Sequence, residues 1–336
     1  MAFNYFNNQN VVGIKYRDNN AGISNLDTHR LNTFPIGGAL FRNTSAATAS
    51  VYSYTHTWTV PDLVTSVSVV CIGGGGGGMV YSYNNQYVQY AMNGGGGGAL
   101  AWLNDIAVTP GESISIQVGA YGTWGYYSAG SRAGGDSFFK NASTINAGGG
   151  SPGRYNTTIS GGTTTISTSY GTYGGGDGGD SVNLGYYSGP SGGGGAGGYS
   201  GDGGDGKAGT ATGDNGAGGG GAGGAGATGT YAYHISGGGG GVAPYGEGTS
   251  GSGGSAGEAG GGSGGDDSSV PTNVNGTQAG GNYGGGGGGK SASYWGSNAG
   301  NGGQGVVRVI WGSGRAFPST NVGQNYLGIA ETTYTN

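Results

Sequence analysis

Charge is scarce in this chain. Lys and Arg total 11 of 336 residues and Asp and Glu total 16, for a formal net charge of −5. So few cations leave no electrostatic footprint for a phosphate backbone, which argues against nucleic acid as a partner. Cysteine is scarcer still, and the single Cys71 excludes an intrachain disulfide framework. It lies in the apolar run "SVSVVCI" and reads as a buried structural thiol. Eight prolines are too few for a collagen helix, which also needs a strict G-X-Y register. No stretch approaches about 18 apolar residues, so no membrane insertion is expected. The start, "MAFNYFNNQN", lacks the basic and apolar regions of a secretory signal, so release would need a route such as lysis. His29, His56 and His234 stand far apart, and no Cys or carboxylate cluster joins them at metal-ligand spacing. No nucleophile, base and orienter can be nominated. The expectation is a protein that is not an enzyme, with no catalytic residue, metal or cofactor.

What the chain has is glycine, 91 residues of it, about four times the usual share. The density is highest between residues 173 and 304. There Gly192, Gly195, Gly198, Gly201 and Gly204 recur every third residue, as do Gly248, Gly251, Gly254, Gly257 and Gly260. Period three is the turn of an extended polyproline-II-like helix, which has no internal hydrogen bonds. Without a Cβ, such helices can approach closely and bond to one another through backbone on several sides. The alternative is a flexible glycine-rich linker. Sparse charge and 24 tyrosines, many of them set between glycine runs, favour order.

Glycine templates match by chance in such a sequence. In "NYGGGGGGKSASYW", Gly284, Gly289, Lys290 and Ser291 fit the P-loop pattern. A P-loop needs a buried strand before it and a helix after it, and "SASYWGSNAGNGGQG" cannot be a helix. Lys290 is therefore expected to be solvent-facing and idle. "GGDGGDSVN", residues 175–183, fits a calcium-binding repeat with Asp180 in the aspartate slot. Only one copy is present, which leaves a calcium ion near Asp180 or a solvated acidic turn as alternatives.

Around the glycine-rich middle lie strand signals. In "VYSYTHTWTVP", Tyr52, Tyr54, His56, Trp58 and Val60 alternate with Ser and Thr, the pattern of a half-buried strand. "VTSVSVVCI", "ESISIQVGA", "DSFFK", "TTTIST" and "GVVRVIWGS" (305–313) are further strand candidates. The last must pair back with the early ones, or its apolar residues stay exposed. The expected fold is mainly β: an antiparallel β module bracketing a polyglycine II helix bundle with aromatic loops. The expected divisions are an N-terminal attachment segment at 1–50, the β module with the first glycine runs at 51–172, the bundle at 173–304, and the closing strand and tail at 305–336. Between glycine runs sit "YSYNNQYVQYAMN", "YGTWGYY", "NLGYYSGP", "TYAYHIS", "VAPYG" and "SASYWGS". Tyr, Trp, Ser, Gly and Asn make adaptable binding loops with large contact area and few rotors. The candidate binding residues are Tyr186, Tyr187, Tyr231, Tyr233, Tyr245, Tyr294 and Trp295.

"TWTVPDLVTSVSVVCIGGGGGG", "NGGGGGALAWLNDIAVTPGESISIQVGAYG", "GGDSFF" and "GGQGVVRVIWGSGRAFPS" resemble, in order and spacing over roughly residues 54–318, the glycine-rich domain of phage tail-fibre and virion proteins. The ending "GRAFPSTNV" is similar to that of structural proteins of phages infecting cyanobacteria. Glycine runs alternating with aromatic loops also resemble the distal-tip adhesins of T-even-like phages. Residues 1–50 do not share the resemblance. It implies a virion location, and a polyglycine II bundle presenting loops to a host surface receptor, an outer-membrane protein or glycan. It also implies contacts with other virion proteins. A structural fibre subunit without receptor binding is the alternative. An extracellular filament or ice-binding protein is another, although only "TTTIST" hints at a threonine array.

Overall fold

The computed structural model describes residues 35–44, 46–47, 52–81, 92–126, 130–182, 189–209, 212–217, 219–226, 234–256, 260, 279–291, 298–319 and 331–335. The described chain is all β, with no helix and several antiparallel sheets.

Two sheets form a sandwich. In one, β1 (Gly37–Arg42), β3 (Ser66–Ile72), β5 (Leu100–Ala107), β11 (Tyr173–Gly176), β14 (Val306–Trp311) and β15 (Glu331–Thr335) run in the order β11-β5-β3-β14-β1-β15. In the other, β2 (Ser53–Thr59), β6 (Ser113–Gly119), β8 (Ser137–Phe139), β9 (Ile145–Ala147) and β10 (Thr164–Ile166) run in the order β10-β9-β8-β6-β2. Pairing within the sandwich is antiparallel except at the edge, where β15 runs parallel to β1.

Alternation puts one face of each strand between the sheets. Val67, Val69 and Cys71 of β3, Val307 and Val309 of β14 and Ile114, Ile116 and Val118 of β6 pack there with Trp58, Leu103 and Phe139. The other face of the larger sheet is also covered. Val70, Ile72, Leu100, Val306 and Ile310 pack against Tyr199, Val242, Tyr283 and Phe317. The closing strand β14 therefore feeds both cores. It sits between β1 and β3, with Val307 opposite Cys71. Cys71 is fully buried, and burial raises its thiol pKa, as expected of an inert structural group.

Several strands continue into glycine runs. Residues 73–78 follow β3 and precede β4 (Met79–Tyr81). Their N–H groups turn through three neighbours in succession. Gly73 and Gly76 donate to Ala99 and Gly96, Gly74 and Gly77 to Gly135 and Arg132, and Gly75 and Gly78 to Gly303 and Gly300, at 2.8–3.0 Å. Their carbonyls meet three further runs, because Gly150 and Gly153, Gly122 and Gly125, and Gly287 donate to them. Residues 192–197 behave alike. Gly192 and Gly195 donate to Lys207 and Gly204, Gly193 and Ala196 to Gly237 and Gly240, and Gly194 and Gly197 to Gly95 and Gly98. Partners return every third residue, and each run binds others rather than itself.

Candidate functional site

The runs cross the molecule from the sandwich to a small sheet at their far end. There β4 lies beside β7 (Gly125–Tyr126), β12 (His234–Ile235) and β13 (Lys290–Ser291), in the order β12-β13-β4-β7. β4 is parallel to β7 and β13, and β12 is antiparallel to β13. The chain leaves this sheet after Tyr81, Tyr126 and Ser291 and enters it at His234. These four attachment points therefore share one edge, away from the sandwich.

Beneath that edge the runs end in a buried polar knot. Asn93, Ser181, Ser191 and Ser236 are all 0% exposed. The hydroxyls of Ser181 and Ser191 are 2.7 Å apart, and Ser181 also donates to the Gly192 carbonyl at 2.7 Å. Ser236 lies 2.7 Å from the carbonyls of both Ser191 and Gly289. Ser191 Oγ lies 3.2 Å from Asn93 Oδ1, and Asn93 Nδ2 donates to the Thr157 carbonyl. Serine and asparagine suit this level because their side chains satisfy carbonyls where the lattice of runs stops. The knot also fixes both flanks of residues 183–188, through Ser181 and Ser191, at the same end of the molecule.

Tyr186, Tyr187, Tyr231, Tyr233, Tyr294 and Trp295 lie outside the described residues. The described flanks of their three segments reach this one end. Tyr245 does not belong with them. It lies at the sandwich end and is 1% exposed, its ring 4.4 Å beneath the Arg308 guanidinium. Arg308, itself buried, pairs through Nε with Glu331 at 2.5 Å. The turns at this end hold other buried tyrosines. Tyr199 takes the Trp102 indole N–H on its carbonyl at 2.8 Å and donates its hydroxyl to the Ala243 carbonyl at 2.9 Å. Tyr283 lies beneath Arg42 at 5.9 Å. Tyr199, Tyr245 and Tyr283 are thus packing residues. Sequence spacing could not separate them from the others, because both kinds interrupt glycine runs.

Lys290 departs from expectation. It is not solvent-facing but 1% exposed, with no hydrogen-bond partner at Nζ among the described residues. Desolvation lowers its pKa. The short sheet at the end of the runs, invisible in the sequence, accounts for the burial. Neither flank supplies a P-loop frame: residues 282–284 form a turn, and a two-residue strand follows the glycines. Asp180 accepts a hydrogen bond from the Gly161 N–H at 3.0 Å. Among the described residues no group of three or more His, Cys, Asp or Glu is placed to hold a metal.

A family model described as a glycine-rich domain matches residues 48–312. No curated protein matches the chain.

Proposed function

The chain belongs to the glycine-rich domain family, and from that premise we propose that it is a phage virion protein, a tail-fibre component or tip adhesin that contacts the host surface. In this reading the glycine runs are polyglycine II helices, and their far end carries the receptor-binding loops. The bonding supports the helix assignment. A strand returns to one neighbour every second residue, and an α-helix bonds within itself. The runs do neither, and their donors cycle with the period of three that polyglycine II requires.

The observation that carries the adhesin reading is the convergence of loop attachments on one end of a multiply bonded bundle. Loops held at their ends lose less entropy on binding. Tyr and Trp are the residues that most often anchor interfaces. The expected partners are a host receptor, protein or glycan, and other virion proteins. The protein acts by binding and not by catalysis.

Purified protein should compete with phage for adsorption to host cells. Paired Ala substitutions at Tyr186 and Tyr187, Tyr231 and Tyr233, or Tyr294 and Trp295 should weaken that competition. Loss of one anchor, about 2 kcal/mol, corresponds to roughly thirtyfold at 1.4 kcal/mol per decade. Tyr245→Ala is the control, because it should lower the melting temperature instead. Protein that neither binds cells nor competes would leave a structural fibre subunit as the better reading.

A further inference from the structure

Interior glycine runs such as 73–78 and 192–197 have a neighbouring carbonyl for every N–H, but runs at the surface lack neighbours on one side. On one flank five such N–H groups find an aspartate. Gly149 donates to Asp136 Oδ1 at 2.9 Å. Gly161 and Thr164 donate to Asp180 and Asp177 at 3.0 and 2.8 Å. The N–H groups of Asp177 and Asp180 donate in turn to Asp202 and Asp205, both at 2.9 Å. The sequence carries the device as a repeated D-G-G-D, at 177–180 and 202–205. Its spacing of three matches the period at which N–H groups return to the same side. The capping aspartates come from the neighbouring run, and between 177–180 and 202–206 backbone also bonds directly: Gly203 and Gly206 donate to the carbonyls of Asp177 and Asp180.

We propose that these aspartates terminate the lattice and close this flank to a second copy of the chain. Each carboxylate oxygen occupies the place of the carbonyl that a further run would supply. Bare N–H groups in a row on a glycine surface would be a template for another glycine run, as the open edge of a sheet is for another strand. A carboxylate fills the donor and adds a charge that repels both incoming carbonyls and the same flank of another copy. Asparagine would fill the donor without the repulsion, and alanine would do neither.

The test uses the full chain, with Asp177, Asp180, Asp202 and Asp205 all changed to Ala or all to Asn. Light scattering over a concentration series reads assembly, and amide hydrogen exchange reads the caps. The Ala variant should form larger assemblies than the unchanged protein at equal concentration. The amides of residues 161, 164, 177 and 180 should keep their protection in the Asn variant. Should the fourfold Ala variant not fold, Asp136→Ala removes one cap. It should speed exchange at Gly149 at least about tenfold, since a hydrogen bond to a charged group is the one lost. A folded Ala variant with unchanged assembly would overturn lattice termination. Unchanged exchange at Gly149 in Asp136→Ala would overturn the capping itself.

Discussion

Single residues in the bundle are constrained by what they lack. A Cβ on Gly97 would fall inside the carbonyl oxygen of Gly195, and one on Gly75 inside that of Gly285. Both obstacles are backbone, which cannot swing aside as a side chain can. Gly97→Ala should therefore cost roughly 3 kcal/mol or more, the upper range for overpacking. Gly111→Ala meets nothing within 4 Å but sits at φ 79°, and should cost only about 1 kcal/mol. Thermal melts of the two variants would compare them, and equal losses would argue against close approach of the runs. His56 has a different constraint. Its Nε2 is buried without a partner among the described residues, and burial lowers its pKa against a smaller opposing bond to the Arg42 backbone. The unfolded chain then takes up a proton more readily than the folded one. This stabilisation is complete above the ordinary histidine value of about 6.5. It is lost as pH falls through that value toward the lowered folded one. Asparagine at 56 should flatten the stability profile over that acidic range, measured as the difference from the unchanged protein.

At the level of elements, the strands were legible wherever residues alternate. The signals at "VYSYTHTWTVP", "VTSVSVVCI", "ESISIQVGA" and "GVVRVIWGS" correspond to β2, β3, β6 and β14. "LAWLNDIA", which is β5, gave no such signal, because its first five residues are buried on both faces and the run is continuous rather than alternating. Nothing local marks β15, which is polar apart from Tyr334, and β1, beginning with Gly37 and Gly38, lies in a stretch of short apolar clusters that reads only as strands and turns. Tyr334 earns its position by stacking on Phe41 at 4.6 Å. The closing strand is more central than a late position in the chain suggests. With β14 between β1 and β3, its loss would split the sheet and open both cores. A chain lacking residues 305–313 should not melt cooperatively. A soluble product with a sharp transition would contradict this dependence.

Across the whole molecule, the density of glycine was legible but the partners of each run were not, because identical residues carry no register. Asp180 read as a calcium ligand or part of an acidic turn, because the spacing it shares with Asp177 gains meaning only from their bonds to particular amides. Burial of Lys290 and Tyr245 also depended on contacts far along the chain. The resulting balance of forces is unusual, and it has a thermodynamic signature. Unfolding the sandwich exposes apolar side chains, which raises heat capacity by about 0.45 cal/K/mol per Å². Unfolding the bundle exposes mainly peptide groups, since its runs bury glycine against glycine backbone. Polar exposure lowers heat capacity by about 0.26 in the same units. The two partly cancel, so the change on unfolding should fall below the usual 12–15 cal/mol/K per residue, by about a quarter or more. Because β3, β5, β6 and β14 continue directly into runs that bond across the bundle, sandwich and bundle should unfold in one transition. Differential scanning calorimetry reads both quantities. A heat-capacity change in the ordinary range would mean that apolar packing, and not backbone bonding, holds the glycine-rich part together. Two separate transitions would mean that the runs are not coupled to the strands that feed them.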